Sequence, residues 1–216
     1  MKEHKIRQLF LGVVLSLTAL SVAVTATLHC RPLYVRDIRS LSLPEKLGIP
    51  EETILRQFDT LIAYNRIGGP NELAFPDLPS SEQGLIHFRE VKRIFLFFQW
   101  GIPVGAALSA FGIFRFRKHK AHYLKYAAFF SLLLPAAFGA GAVFFWDAFF
   151  LLFHSLMFAN DYWLFDMRDD PVILLLPDTY FYHCAVMIVG ILIGFGLLCL
   201  LFLANSRRGG YNGSNG

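Results

Sequence analysis

Charge is scarce in this chain: Asp, Glu, Lys and Arg make up 17% of its 216 residues and hydrophobic residues 55%. A soluble domain carries about 25% charge, so an ordinary soluble fold is excluded from the outset. Cysteine is rarer still. Cys30, Cys184 and Cys199 form no CxxC pair and Cys199 lies within an apolar window, so they read as small apolar or incidental residues. Also missing are the phosphate-cradling GxxxxGK[ST] loop, the GxSxG nucleophile elbow and SxxK. Nothing points to nucleotide use or to an activated Ser or Cys. Any chemistry here rests on histidine acid/base work.

What the chain has is long apolar runs and 23 Phe. Four windows, at 9–28, 94–114, 126–146 and 184–204, meet the roughly 20 residues needed to cross a bilayer. None of their apolar stretches is broken by a charge, and Gln99 is the one strongly polar residue in them. A transporter would need ionisable groups within its spans; Gly190, Gly194 and Gly196 read instead as close-packing positions. Residues 1–28 are longer than the apolar core of a cleaved signal peptide, about 7–15 residues. His29 stands before Cys30 where a lipoprotein processing site has a small residue. The first window is therefore expected to remain as a span.

The basic residues divide by topology. Ten Lys and Arg lie before the first window, in the 115–125 loop and after the fourth, with Glu3 the single acid among them; the other side holds ten basic and 15 acidic residues. The positive-inside rule then puts both termini and the 115–125 loop in the cytoplasm. The basic pI needs no nucleic acid to explain it. The expected fold is an all-α membrane protein of four transmembrane helices with an extracytoplasmic helical cap. Its parts are residues 1–29 (tail and first helix), 30–92 (cap), 93–204 (the other three helices, the 115–125 loop and an extracytoplasmic 147–182 segment) and 205–216 (cytoplasmic tail).

The cap is punctuated by Pro44, Pro50, Pro70, Pro76 and Pro79. After Pro50, the spacing of Ile54, Leu55, Phe58, Leu61 and Ile62 predicts an amphipathic helix lying on the membrane or on the other helices. Ser80 and Gln83 have the spacing of a capping box, opening a helix that runs on into the second span. His87 on that helix lies about 10 Å before the apolar window, at 1.5 Å per residue. His154 leaves the third window at the matching outer level. Glu90, three residues from His87, shares its face.

The segment 154–177 is the densest cluster: His154, Asn160, Asp161, Tyr162, Trp163, Asp166, Arg168, Asp169 and Asp170 between two apolar runs. Ionisable groups at the edge of a hydrocarbon slab are costly unless paired or used. Interfacial aromatics and a solvated turn account for parts of it, but not for two histidines at one depth. His87, His154, His183 and Asp161 are the only plausible metal ligands, and no HxxxH or HExxH spacing supports that use. No metal and no cofactor is expected.

Taken together, Ser81-x-x-Gly84-x-x-His87-Phe88-x-Glu90-Val91-Lys92, then His154, Asn160-Asp161-x-Trp163-Leu164-Phe165-Asp166, Asp170-Pro171 and Leu175-x-Pro177 resemble the Lit family of lipoprotein intramolecular transacylases. The resemblance spans essentially the whole chain, with Met167 where that family's pattern has proline. It implies a bacterial cytoplasmic-membrane enzyme with its site at the extracytoplasmic face. The implied substrate is a diacylglyceryl lipoprotein whose N-terminal cysteine has a free α-amine. The sn-2 acyl chain moves to that amine, giving an N-acyl lyso-form. On the same grounds His87 and His154 are the catalytic pair, with Glu90, Asp161 and Asp166 fixing tautomer and loop geometry. Lys92, Asn160 and Trp163 would shape the pocket, and Phe88, Tyr162 and Phe165 confine the acyl chains. Membrane lipids are expected partners; nucleotide and nucleic acid are not. The competing reading is a non-catalytic lipid- or lipoprotein-binding accessory or sensor protein, which leaves the two histidines unused.

Overall fold

The structure is a computed structural model and describes residues 2–116 and 122–212. Part of the expected 115–125 loop and the last four residues of the C-terminal tail lie outside the described residues. The described chain is helical throughout, without a strand. Its helices are α1 (Lys2–Leu28), α2 (Arg31–Ser40), α3 (Leu43–Leu47), α4 (Glu51–Tyr64), α5 (Glu82–Phe116), α6 (Tyr123–Phe144), α7 (Trp146–Met157) and α8 (Asp178–Asn212), with a 3-10 turn at Pro171–Leu175. Three stretches are long and apolar enough to cross a membrane: Glu3–Leu28, Glu82–Phe116 and Asp178–Asn205. At the place of the expected third span α6 gives a shorter apolar run, Tyr123–Ala137.

The chain divides into two compact units. The first comprises residues 1–24, 100–140 and 187–216. Helices there meet through small and hydroxylated residues, as expected where lipid offers no hydrophobic gain for association. A side chain at Gly12 would sit 2.4 Å from Tyr126 Cβ. Ser16 Oγ donates to the Ala127 carbonyl at 2.9 Å and accepts from Ser131 Oγ at 3.1 Å. Of the three α8 glycines expected to serve close packing, Gly196 does so against Leu132, but a Cβ on Gly190 or Gly194 would meet nothing within 4 Å. Periodicity alone does not say which face of an all-apolar helix finds a neighbour.

The second unit comprises residues 25–99 and 141–186 and has the larger core. The predicted amphipathic helix is α4, with Ile54, Phe58, Leu61 and Tyr64 buried. Pro50 and the acidic Glu51 and Glu52 open it, favourable at the positive end of a helix dipole. Its apolar face lies on protein: Phe58 stacks on Tyr34 of α2 at 3.7 Å, and Tyr180 of α8 meets both rings edge-on. Tyr34 is fully buried, and its hydroxyl donates to the Leu175 carbonyl at 2.7 Å, which satisfies a polar atom that burial would otherwise strand. The chain after α4 is fastened by Gln99 of α5, which accepts from the Ile67 N–H and donates to the Asn65 carbonyl. That accounts for the lone polar residue of the second window. The single continuous helix predicted from the cap into that window is α5.

Candidate active site

His87 owes its position to how α5 begins. The helix starts at Glu82, and the cap is Ser81, not Ser80: Ser81 Oγ accepts from the Gly84 N–H at 2.9 Å. The reciprocal partner comes from far along the chain. Asp170 Oδ1 accepts from Ser81 N at 2.8 Å and Oδ2 from Ser81 Oγ at 2.6 Å. A carboxylate at a helix N-terminus meets unpaired N–H groups and the favourable end of the dipole. Gly84 makes room for it, since a Cβ there would lie 2.4 Å from Asp170 Oδ1. This clasp joins the start of α5 to the end of the 158–170 loop.

One turn on, His87 is 5% exposed, walled edge-on by Phe158 at 4.6 Å and Phe165 at 5.5 Å. Its Nδ1 is buried and has no hydrogen-bond partner. The second histidine rides on α7, a helix that neither hydropathy nor spacing sets apart from its surroundings. The His154 ring centroid is 6.2 Å from that of His87. Trp163 lies at 4.7 Å and Phe150 at 4.0 Å from the same ring. His154 Nδ1 lies 2.8 Å from the Phe150 carbonyl oxygen. A carbonyl only accepts, so Nδ1 carries the proton and Nε2 presents its lone pair. Burial pushes the His154 pKa down, outweighing the raising effect of that carbonyl. Neither imidazole has a carboxylate partner among the described residues. The two imidazoles share one aromatic box, their ring centroids 6.2 Å apart.

The structure brings some of the expected supporting residues to this place and not others. Asn160 Nδ2 donates to Glu90 Oε1 at 3.0 Å, and Asn160 Oδ1 accepts from the Tyr162 N–H. Glu90 thus engages Asn160 and not the His87 ring. Phe165 stacks on Phe88 at 5.3 Å, with Phe75 edge-on to Phe88. Phe88 is buried and is wall more than open pocket, while Tyr162 and Trp163 are half-buried. Lys92 turns away to the chain after α4, donating to the Pro70 carbonyl with its Nζ 4.1 Å over the Tyr64 ring. Asp166 is exposed and bound to Arg168 at 2.7 Å, which holds its carboxyl down at about 2. Its backbone carbonyl accepts from Asp169 and Asp170 N–H groups, so it shapes the loop from outside. Asp161 is exposed, and its side chain has no partner among the described residues. His183 pairs with buried Asp37 at 2.8 Å, and among the described residues no three His, Cys, Asp or Glu cluster as metal ligands.

Four residues that build the site carry no functional signal one at a time: Asp170, Ser81, Gly84 and Phe158. Ser81-x-x-Gly84 ahead of an apolar helix, with Asp170-Pro171 closing an acidic loop, was the available signal. Its meaning needs the two brought together.

Two half-buried to buried histidine rings facing each other, in an all-helical chain with three helices long and apolar enough to cross a membrane, are what this site presents. The sequence model of the lipoprotein intramolecular transacylase Lit family matches residues 9–181, and the chain belongs to that family. Among solved structures it is similar to the membrane integral lipoprotein intramolecular transacylase Lit from Bacillus cereus, with 28% identity, a TM-score of 0.89, and 94% of this chain and 97% of that chain covered. Two variants of the same Bacillus cereus protein, with one histidine replaced by arginine or by alanine, match at TM-scores of 0.84 and 0.83 with 27% identity, over 97% and 96% of this chain and 94% of theirs. No curated protein matches.

Proposed function

We propose that this chain moves the sn-2 acyl group of a diacylglyceryl lipoprotein from glycerol oxygen to the α-amine of its N-terminal cysteine. The observation that carries the reading is the pair of imidazoles with centroids 6.2 Å apart, one of them tautomerically fixed by Phe150. His154 Nε2 takes a proton from the amine as nitrogen attacks the ester carbonyl carbon. His87 donates an N–H to the carbonyl oxygen as negative charge gathers there. The ammonium first gives up one proton to solvent; the N–C bond then forms, the C–O bond to glycerol breaks, and the glycerol oxygen leaves with the proton that His154 took from nitrogen. Ester to amide runs downhill, so no nucleotide is consumed. The ring closed in the attack contains nitrogen, Cα, Cβ, sulfur, two glycerol carbons, oxygen and the carbonyl carbon. Such rings close poorly in water, and holding the ends together supplies up to about 7–11 kcal/mol. Trp163, Phe158 and Phe165 exclude water from the reacting atoms, Phe88 backs Phe165 from the core, and Tyr162 lines the acyl chains.

The same reading has four crossings, α6 being the third, with both termini cytoplasmic and the histidines at the outer face. The +9 and −5 balance of charge on the two sides supports it. Membrane lipids surround the spans; neither nucleotide nor nucleic acid takes part. The test is mass spectrometry of a lipoprotein N-terminus in cells lacking other N-acylating enzymes. With the chain present the lyso-form, N-acyl peptide replaces the diacylglyceryl one. An unchanged N-terminus in its presence returns the chain to a lipid-binding accessory role.

A further inference from the structure

Glu90 has one carboxylate oxygen accounted for and one not. Oε1 accepts from Asn160 Nδ2 at 3.0 Å. The orientation of that amide is dictated, because Asn160 Oδ1 already accepts from the Tyr162 N–H. Oε2 is buried and has no partner. Cations are near in sequence, yet Lys92 is spent on the Pro70 carbonyl and the Tyr64 ring. Arg89 and Arg93 are exposed and make no ion pair with Glu90 among the described residues. Buried polar atoms in native proteins are nearly always paired, and a bare carboxylate oxygen is among the costliest exceptions. A carboxylate oxygen of this kind, fixed in direction from its other side, is chemically matched to a cationic donor. Glu90 lies three residues from His87 on one face of α5, a spacing that puts Cβ atoms about 5–6 Å apart.

We propose that Glu90 Oε2 receives the α-ammonium of the substrate's N-terminal cysteine, so that Glu90 is the residue by which the site selects a free amine. The inference rests on the transacylase reading above and adds what recognises the acceptor. The acceptor is the one cationic group that the reaction brings in, and it vanishes when the amide forms. The ion pair therefore holds substrate and lets product go. An uncleaved precursor, whose cysteine nitrogen is already an amide, and an already N-acylated lipoprotein are both refused on the same ground. Asn160 is the positioning residue that aims the carboxylate.

The experiment uses the full chain in nanodiscs and two synthetic diacylglyceryl-cysteine peptides that differ only at the cysteine nitrogen, one free and one N-acetylated. Each carries an ether in place of the sn-2 ester to block transfer. The wild-type protein binds the free amine tighter by about tenfold or more, the range of a hydrogen-bonded charge pair. In Glu90→Gln the two peptides bind about equally. With the sn-2 ester restored, Glu90→Gln raises KM about tenfold and lowers kcat less. A wild-type protein without preference overturns the proposal even if the variant cannot be purified, and so does an undiminished preference in Glu90→Gln. A fall in kcat at unchanged KM overturns it too, leaving Glu90 as scaffold. Failure of the wild-type protein to turn over the ester peptide strikes the transacylase reading instead.

Discussion

Replacing Gly84 by alanine adds a single methyl group where there is no room for it. The new Cβ would lie 2.4 Å from Asp170 Oδ1 and 2.8 Å from its Cγ, so the buried carboxylate must retreat. Retreat breaks its bonds to Ser81 N and Ser81 Oγ. Hydrogen bonds to a charged group contribute about 1.5–3 kcal/mol each, and alanine in a helix returns up to about 1 kcal/mol over glycine. The net cost is then about 2–5 kcal/mol. The start of α5 loosens one turn ahead of His87, so the N-acylation rate falls with the thermal midpoint of the purified protein. A double-mutant cycle isolates the cause. In an Asp170→Ala background the methyl group meets no carboxylate, and Gly84→Ala should be neutral or stabilising by up to about 1 kcal/mol. Equal destabilisation in both backgrounds would refute the clasp as the reason Gly84 is glycine.

His87→Ala and His154→Ala are each expected to remove nearly all N-acylation, with the double variant hardly worse, because groups acting as one unit are non-additive; full activity of either at normal membrane levels makes that residue structural. Asp166→Asn and Asp161→Asn are milder, since both acids are exposed and neither touches an imidazole; a loss as deep as that of the histidine variants would contradict this. Burial depresses the His154 pKa in the free protein, so the acid limb of kcat/KM falls below the ordinary imidazole value of about 6.5. The same depression contributes stability that is present above about pH 6.5 and lost as pH falls through the folded value; an acid limb at or above 6.5 argues against His154 as the base. Cysteines placed at Ser206 and Glu72 report orientation: in intact cells an impermeant thiol reagent should label Glu72→Cys and spare Ser206→Cys, and the opposite pattern overturns the topology.

Hydropathy, charge balance and residue type are properties of short stretches, and what they determine was legible in the sequence. The spans coinciding with α1, α5 and α8 and the amphipathic α4 with its Pro50 start follow from local runs and spacings. In an apolar chain with few charges, a histidine beside an acidic, aromatic loop stands out as a candidate for chemistry. Tertiary structure decided what each polar group faces. Asp170 and Ser81 meet across 89 residues, and Asn160 and Glu90 across 70; no periodicity encodes such pairings. The expectation that Glu90 orients His87 rests on helical spacing, which places two side chains on one face but does not choose between partners across the gap. The break at Phe145 that starts α7 falls among apolar residues, one before the end of the third window, and hydropathy does not mark it. Chain composition settled that the protein enters a membrane. Only packing settled which nitrogen holds its proton, which acid caps the helix, and which carboxylate oxygen was left without a partner.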